Sequence, residues 1–168
     1  MPRSFDMATD YQETVEQVHR ALRDEKYWLA RLAGSGADRT RLDGFELGRD
    51  GGVDVVTTQV LHADRLPGVI HQFHRGDLEI RRAETWTGIS GGQAEATVAG
   101  SIAGAPVSLI GNGQLTPSKA LSRLAFRATV EVRIPLVGQK LEKFIGSQLE
   151  QLLITEQRFT TAWIAEHH

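Results

Sequence analysis

Cysteine is absent from all 168 residues. Its absence excludes disulfide staples, thiolate zinc sites and thiol nucleophiles together, and it fits a reducing compartment. Apolar runs are only a few residues long, far below the roughly 20 a bilayer-spanning helix needs, so stable membrane insertion is not expected. Charge of one sign is lacking too: 19 Lys and Arg stand against 21 Asp and Glu, a net charge of −2. With no basic stripe and no polybasic segment, nothing points to nucleic acid or to an anionic membrane surface. Arg3 and Asp6 put charge too early for the apolar core of a signal peptide, and a cytoplasmic location is the resulting expectation. The closing Glu166-His167-His168 reads as a native end or a tag remnant and is assigned no role.

What is present is the composition of an ordinary globular protein, 40% apolar and 24% charged. The length suits one domain over residues 1–168. Phe5, Met7, Thr9 and Tyr11 alternate with Ser4, Asp6, Ala8 and Asp10, the pattern of a half-buried strand. The period then changes. Val15, Val18, His19 and Leu22 recur at helical spacing, with Glu13 and Glu16 near the start and Arg20 and Arg23 near the end, as the helix dipole favours. Tyr27, Trp28, Leu29 and Leu32 predict a second short helix closed by Gly34-Ser35-Gly36.

From Arg39 to Ile134 strands alternate with turn signals. Expected strands are 41–47, one beginning at Val53, then 77–88, 93–102, 107–115 and one ending at Ile134. The turns between them are Gly48–Gly52, Gly91-Gly92, Gly104-Ala105-Pro106 and Thr116–Lys119. In the last strand Leu124, Phe126, Ala128, Val130, Val132 and Ile134 alternate with Arg123, Arg127, Thr129, Glu131 and Arg133, so one face is buried and one is wet. The linker Asp64–Arg75 has no strand alternation, and its apolar part, Leu66–Phe73, reads as a mouth loop or as a cluster tucked onto the sheet; a helical turn is expected to start near Pro67. Pro135 is expected at the first position of a final helix running to Trp163, with Val137, Leu141, Phe144, Ile145, Leu149, Leu152, Phe159 and Trp163 as its apolar stripe. Such a helix spans roughly 40 Å at 1.5 Å per residue, enough to cover a sheet of ten-residue strands. The fold class is therefore α+β: a seven-stranded antiparallel sheet curled around a long C-terminal helix, with two short helices after the first strand.

This order resembles the helix-grip fold of the START-like, or SRPBCC, superfamily. Tyr11-Gln12-Glu13-Thr14-Val15-Glu16-Gln17-Val18 resembles that superfamily's lead-in to its first helix, and Leu66-Pro67-Gly68 with Arg82-Ala83-Glu84-Thr85-Trp86 resembles its middle. The segment Tyr27-Trp28-Leu29-Ala30-Arg31-Leu32 is most similar to an uncharacterised bacterial branch. These motifs are structural and none is catalytic. The resemblance implies a deep cavity between sheet and final helix. Members bind lipids, sterols, polyketides or other apolar molecules, and some are cyclases or chaperone cofactors.

A direct search for chemistry finds little. No Gly-x-Ser-x-Gly elbow occurs. Gly111-Asn112-Gly113 lies in a strand pattern with no helix after it, so a bulge or sheet bend is expected there rather than a phosphate loop. His71 and His74 are closely spaced, yet a metal would need a third partner such as Asp64 or Asp77, and ordinary exposed histidines are expected. His19 and His62 read as packed or surface side chains. Alternation along 77–88 is more informative, because it puts Arg82 and Glu84 on the same face as Leu78, Ile80 and Trp86. Buried charges are costly unless partnered. Three readings remain open: a bulge that turns both outward, a structural ion pair, or a polar anchor inside an apolar cavity.

The leading expectation is a noncatalytic binder or carrier of an apolar or amphipathic small molecule, lipid-like or polyketide-like, needing no cofactor and no metal. Its contacts would be Arg82, Glu84, Trp86, Leu109, Phe126, Val130, Leu141, Phe144 and Ile145. A cyclase-type or dehydratase-type enzyme is the alternative, with Glu84, His62 or Tyr11 as acid or base. An interaction or regulatory module without a small ligand is the third reading.

Overall fold

Alternating side chains that must bury one face, joined by glycine-rich turns, build most of the molecule. The structure is a computed structural model and describes residues 2–71 and 74–167. Strand β1 (Arg3–Tyr11) leads into helices α1 (Val15–Leu22) and α2 (Glu25–Ala33). Strands β2 (Arg39–Leu47) and β3 (Val53–Leu61) follow, then a single helical turn, α3 (Gly68–His71). Strands β4 (Leu78–Trp86), β5 (Ala94–Ile102), β6 (Val107–Ser118) and β7 (Leu121–Val132) complete the sheet before helix α4 (Gly138–Glu166).

The sheet is antiparallel throughout, in the order β1-β7-β6-β5-β4-β3-β2. Strands β2 to β7 form a meander, and β1 adds to its far edge. Helices α1 and α2 therefore carry the chain from one edge of the sheet to the other. Local chemistry fixes their ends. Thr14 caps α1 through a capping box with Gln17, and Asp24 caps α2 by accepting from the Lys26 N–H. The curved sheet and the long last helix make this the α+β helix-grip architecture that the sequence pattern implies.

Three expectations are corrected. Helix α4 does not begin at Pro135. Pro135, Leu136 and Val137 form a turn in which Leu136 takes φ 73° and is fully exposed, and Val137 is the N-cap. The chain must reverse direction from β7 before it can run back across the sheet, and that reversal occupies the proline. Gly111 and Gly113 form no bulge either: β6 stays in register with β5 and β7 along its length. A Cβ on Gly111 would overlap the Phe126 ring, and one on Gly113 would come within 3.1 Å of it. These glycines give the ring a place to lie, the close approach that a strand glycine permits. Finally, Thr116–Ser118 continue β6, and only Lys119 and Ala120 turn, with Leu121 at φ 98°. A bulge does occur in β2, between Leu42 and Gly44.

The core has two parts. The larger joins α1, α2 and the end of α4 to one end of the sheet through Tyr27, Trp28, Trp86, Leu115 and Trp163. A smaller cluster of Val107, Val130, Val132 and Leu141 holds the start of α4 to the other end.

Candidate functional site

Strand β4 pairs with β3 and β5 in unbroken register, so Leu78, Ile80, Arg82, Glu84 and Trp86 all point to the concave face. That removes the outward-turning bulge as an account of Arg82 and Glu84. Across from them, α4 presents Phe144, Ile145, Leu149, Leu152 and Glu156. Between the two elements lies a space of about 580 Å³. Leu66, Pro67 and Ile70 from the apolar linker also line it, and Ile70 is buried, while Gln72 and Phe73 of that linker fall outside the described residues.

Of the residues expected to make contacts, Arg82, Glu84, Trp86, Leu109, Phe126, Val130, Phe144 and Ile145 all line this space. Leu141 does not. It is 2% exposed and packs with Val107, Val130 and Val132, because it sits one turn nearer the point where α4 meets the sheet. Of the acid or base candidates, Tyr11 and Glu84 line the space. His62 lies in the solvent-facing loop after β3, half-exposed and 3.6 Å from Asp38. His71 is exposed, and His74 bonds to the Asp77 carbonyl at 2.9 Å. Among the described residues no group of three His, Cys, Asp or Glu side chains is placed to hold a metal ion.

The polar part of the wall is larger than the sequence pair. Arg82 donates to both carboxylate oxygens of Glu156, at 2.8 and 3.0 Å, and also pairs with Glu84. Arg31 of α2 reaches the same Glu156 at 2.5 Å and lies 3.6 Å from Glu84. Its guanidinium stacks over Trp28, 4.7 Å from the ring centre. The remaining Glu84 oxygen accepts from the Trp86 indole N–H at 3.2 Å. Two cations and two anions thus close on one another. Burial pushes the Glu156 carboxyl up, but the Arg31 and Arg82 charges outweigh it and hold the group at about 2. Burial would lower both guanidiniums, and the Glu156 charge overcomes it in each case, so both are raised. Tyr11 lies beside this cluster, and burial pushes its phenol far up.

Sequence reasoning found Arg82 and Glu84 and missed Arg31 and Glu156. The signal was present. Glu156 lies four residues after Leu152 and three before Phe159, a stripe position on α4, and Arg31 lies three after Trp28 and four after Tyr27 on the inner side of α2. A charge at a stripe position on each of three elements is the pattern that predicts a shared partner.

The architecture is that of the helix-grip fold. Two solved structures share the architecture. One is a Thermus thermophilus protein with TM-score 0.61 and 15% identity, covering 95% of this chain and 98% of that one. The other is norcoclaurine synthase from Thalictrum flavum with TM-score 0.60 and 12% identity, covering 99% and 88%. The chain belongs to the family described as protein of unknown function DUF2505, which matches residues 6–164. An uncharacterized protein of Mycobacterium tuberculosis is 48% identical over 173 residues, covering 99% of each chain.

Proposed function

We propose that the protein binds a small apolar or amphipathic molecule, lipid-like or polyketide-like, between the concave sheet face and α4, as a binder or carrier. One observation carries this reading. Protein interiors are packed to crystal-like density, whereas here a space of about 580 Å³ lies under a long helix. That volume falls in the range of small-molecule pockets, roughly 300–1,000 Å³. Its walls have the matching composition, apolar side chains from β4, β6, β7 and α4 with a few polar groups gathered at one place. A cytoplasmic site of action, with no nucleic-acid partner, belongs to the same reading. Native mass spectrometry of protein purified from its own host should show a retained small molecule, and a panel of fatty acids and polyketides should contain at least one that binds. An empty protein that binds none of the panel overturns the proposal.

A second reading is an enzyme of cyclase or dehydratase type on the same fold. Tyr11 and Glu84 favour it, since both are buried and both line the space. Norcoclaurine synthase, which shares the architecture, is by its name a synthase. Turnover of a bound polyketide that disappears in Tyr11→Phe or Glu84→Gln would favour this reading over carriage. Release of the same molecule unchanged would remove it.

A further inference from the structure

The charged wall says what kind of polar head the bound molecule carries. This inference rests on the space being a ligand site, and it adds the chemistry of the end that meets the wall. The charged side chains lining the space are Arg31, Arg82, Glu84 and Glu156, which sum to zero. They are also committed to one another. Arg82 uses two N–H groups on Glu156 and a contact with Glu84, and Arg31 divides itself between Glu156 and Glu84. A ligand carboxylate would have to displace Glu84 or Glu156 from an arginine, leaving a displaced carboxylate buried without its partner. A ligand ammonium would have to draw Glu84 or Glu156 away, with the same penalty on an arginine. Uncompensated buried charge is among the costliest states a site can adopt.

An uncharged group meets no such obstacle, and a donor for it is in place. Tyr11 is 7% exposed, lines the space, and its hydroxyl has no hydrogen-bond partner among the described residues. The neighbouring phenol differs: Tyr27 is bonded to the Thr160 hydroxyl at 2.6 Å. The Tyr11 hydroxyl is not sealed from solvent, so it is available to donate to an acceptor held in the space. We propose that the site selects an uncharged, oxygen-bearing head group, a ketone or an alcohol on an apolar body, with Tyr11 donating to its oxygen and the Arg31–Arg82–Glu84–Glu156 cluster excluding carboxylates and amines.

The test uses four ligands with nearly equal chains: 1-dodecanol, 2-tridecanone, dodecanoate and dodecyltrimethylammonium. Each is titrated at pH 7.5, below its micelle or solubility limit, against protein loaded with the neutral fluorophore 1-N-phenylnaphthylamine. The alcohol and the ketone should displace the fluorophore at concentrations about tenfold lower than either ion. Tyr11→Phe should weaken the ketone and the alcohol about fivefold relative to the fluorophore, whose affinity is measured directly in the variant. Glu84→Gln leaves the wall with one excess positive charge, and it should tighten dodecanoate about fivefold relative to the alcohol. Dodecanoate or the ammonium binding as tightly as the neutral pair in the wild type overturns the head-group assignment while leaving the ligand site standing. Failure of the fluorophore and all four ligands to bind overturns the site itself, and this inference with it.

Discussion

Helix α4 behaves as two different elements along its length. Its last turns are a plug: Trp163 lies edge-on to Tyr27 at 5.4 Å between ring centres, Phe159 lies 5.9 Å from the same ring, and Thr160 bonds its hydroxyl. Its middle is a roof, where Phe144, Ile145 and Leu149 are only half-buried over open space. The residue types hardly differ. What differs is the company, since α1 and α2 pack against the plug and nothing comparable lies under the roof. An apolar stripe thus specifies which face turns inward, and the rest of the chain decides whether that face is filled.

Truncating one side chain in each region should expose the contrast. Tyr27→Ala removes a 1% exposed ring from the plug and should cost about 3–5 kcal/mol in urea denaturation. Leu109→Ala, in the wall of the open space, enlarges a void that already exists and should cost about 1 kcal/mol. Equal losses at both places would mean that the roof is packed as tightly as the plug, and the contrast would fall.

The roof has its own rigid points. Gly138 abuts the end of β7 so closely that a Cβ would stand 2.6 Å from the Val132 carbonyl oxygen, and a Cβ on Gly146 would overlap the Phe5 ring. Alanine improves helix propensity by about 1 kcal/mol, but overpacking costs about 1–3 kcal/mol. Gly138→Ala should therefore be net destabilising, because a backbone carbonyl cannot step aside. Gly146→Ala should be milder, because a half-buried side-chain ring can turn aside where a backbone carbonyl cannot. A larger loss at Gly146 than at Gly138 would show that the Phe5 ring is held in place by the cluster it packs against.

The same distinction explains what could be read from residues alone. Strand alternation from Phe5 to Tyr11 and from Leu124 to Val132 is a local, period-two signal, and it placed both strands and their inner faces correctly. Inward placement of Arg82 and Glu84 followed from the same period. The start of α4 did not follow, because proline suits both a first helical position and a turn, and only the geometry of the reversal chooses between them. The roles of Gly111 and Gly113 were hidden for a similar reason: Phe126 meets them across a strand pairing that sequence spacing does not display. Leu141 and Ile145 stand one turn apart on one stripe, yet one packs and the other lines the space. That depends on where the helix lifts from the sheet, a property of the whole fold.

Acid should loosen the junction between plug and roof, where Glu156 sits. Its folded value of about 2 lies below the ordinary 4.5, so its contribution is complete above pH 4.5 and is lost as pH falls toward 2. Glu156 keeps 19% of its side chain exposed, and solvent screening reduces the effect, so about 1–2 kcal/mol should disappear over that window. Urea midpoints at pH 6 and pH 3 measure it. The loss should be smaller in Glu156→Gln, which has no carboxyl to titrate there. An unchanged pH slope in that variant would show that other carboxylates govern acid unfolding.

The smallest effects belong to the outer sheet face, which should not register the contrast beneath it. Asp10 pairs with Arg123 at 3.3 Å next to Tyr11 and the plug, and Asp6 pairs with Arg127 at 3.1 Å nearer the roof. All four side chains are more than half exposed, so screening and side-chain entropy leave each pair worth a fraction of 1 kcal/mol. Asp10→Asn and Asp6→Asn should each shift stability by less than about 0.5 kcal/mol, equally within error, and the shift should vanish in 1 M salt. If Asp6→Asn alone proved costly, strand β1 above the roof would depend on its outer pairs for want of packing below. The open space would then weaken the sheet itself, and the two halves of α4 would differ in what they do for β1 as well as in what they cover.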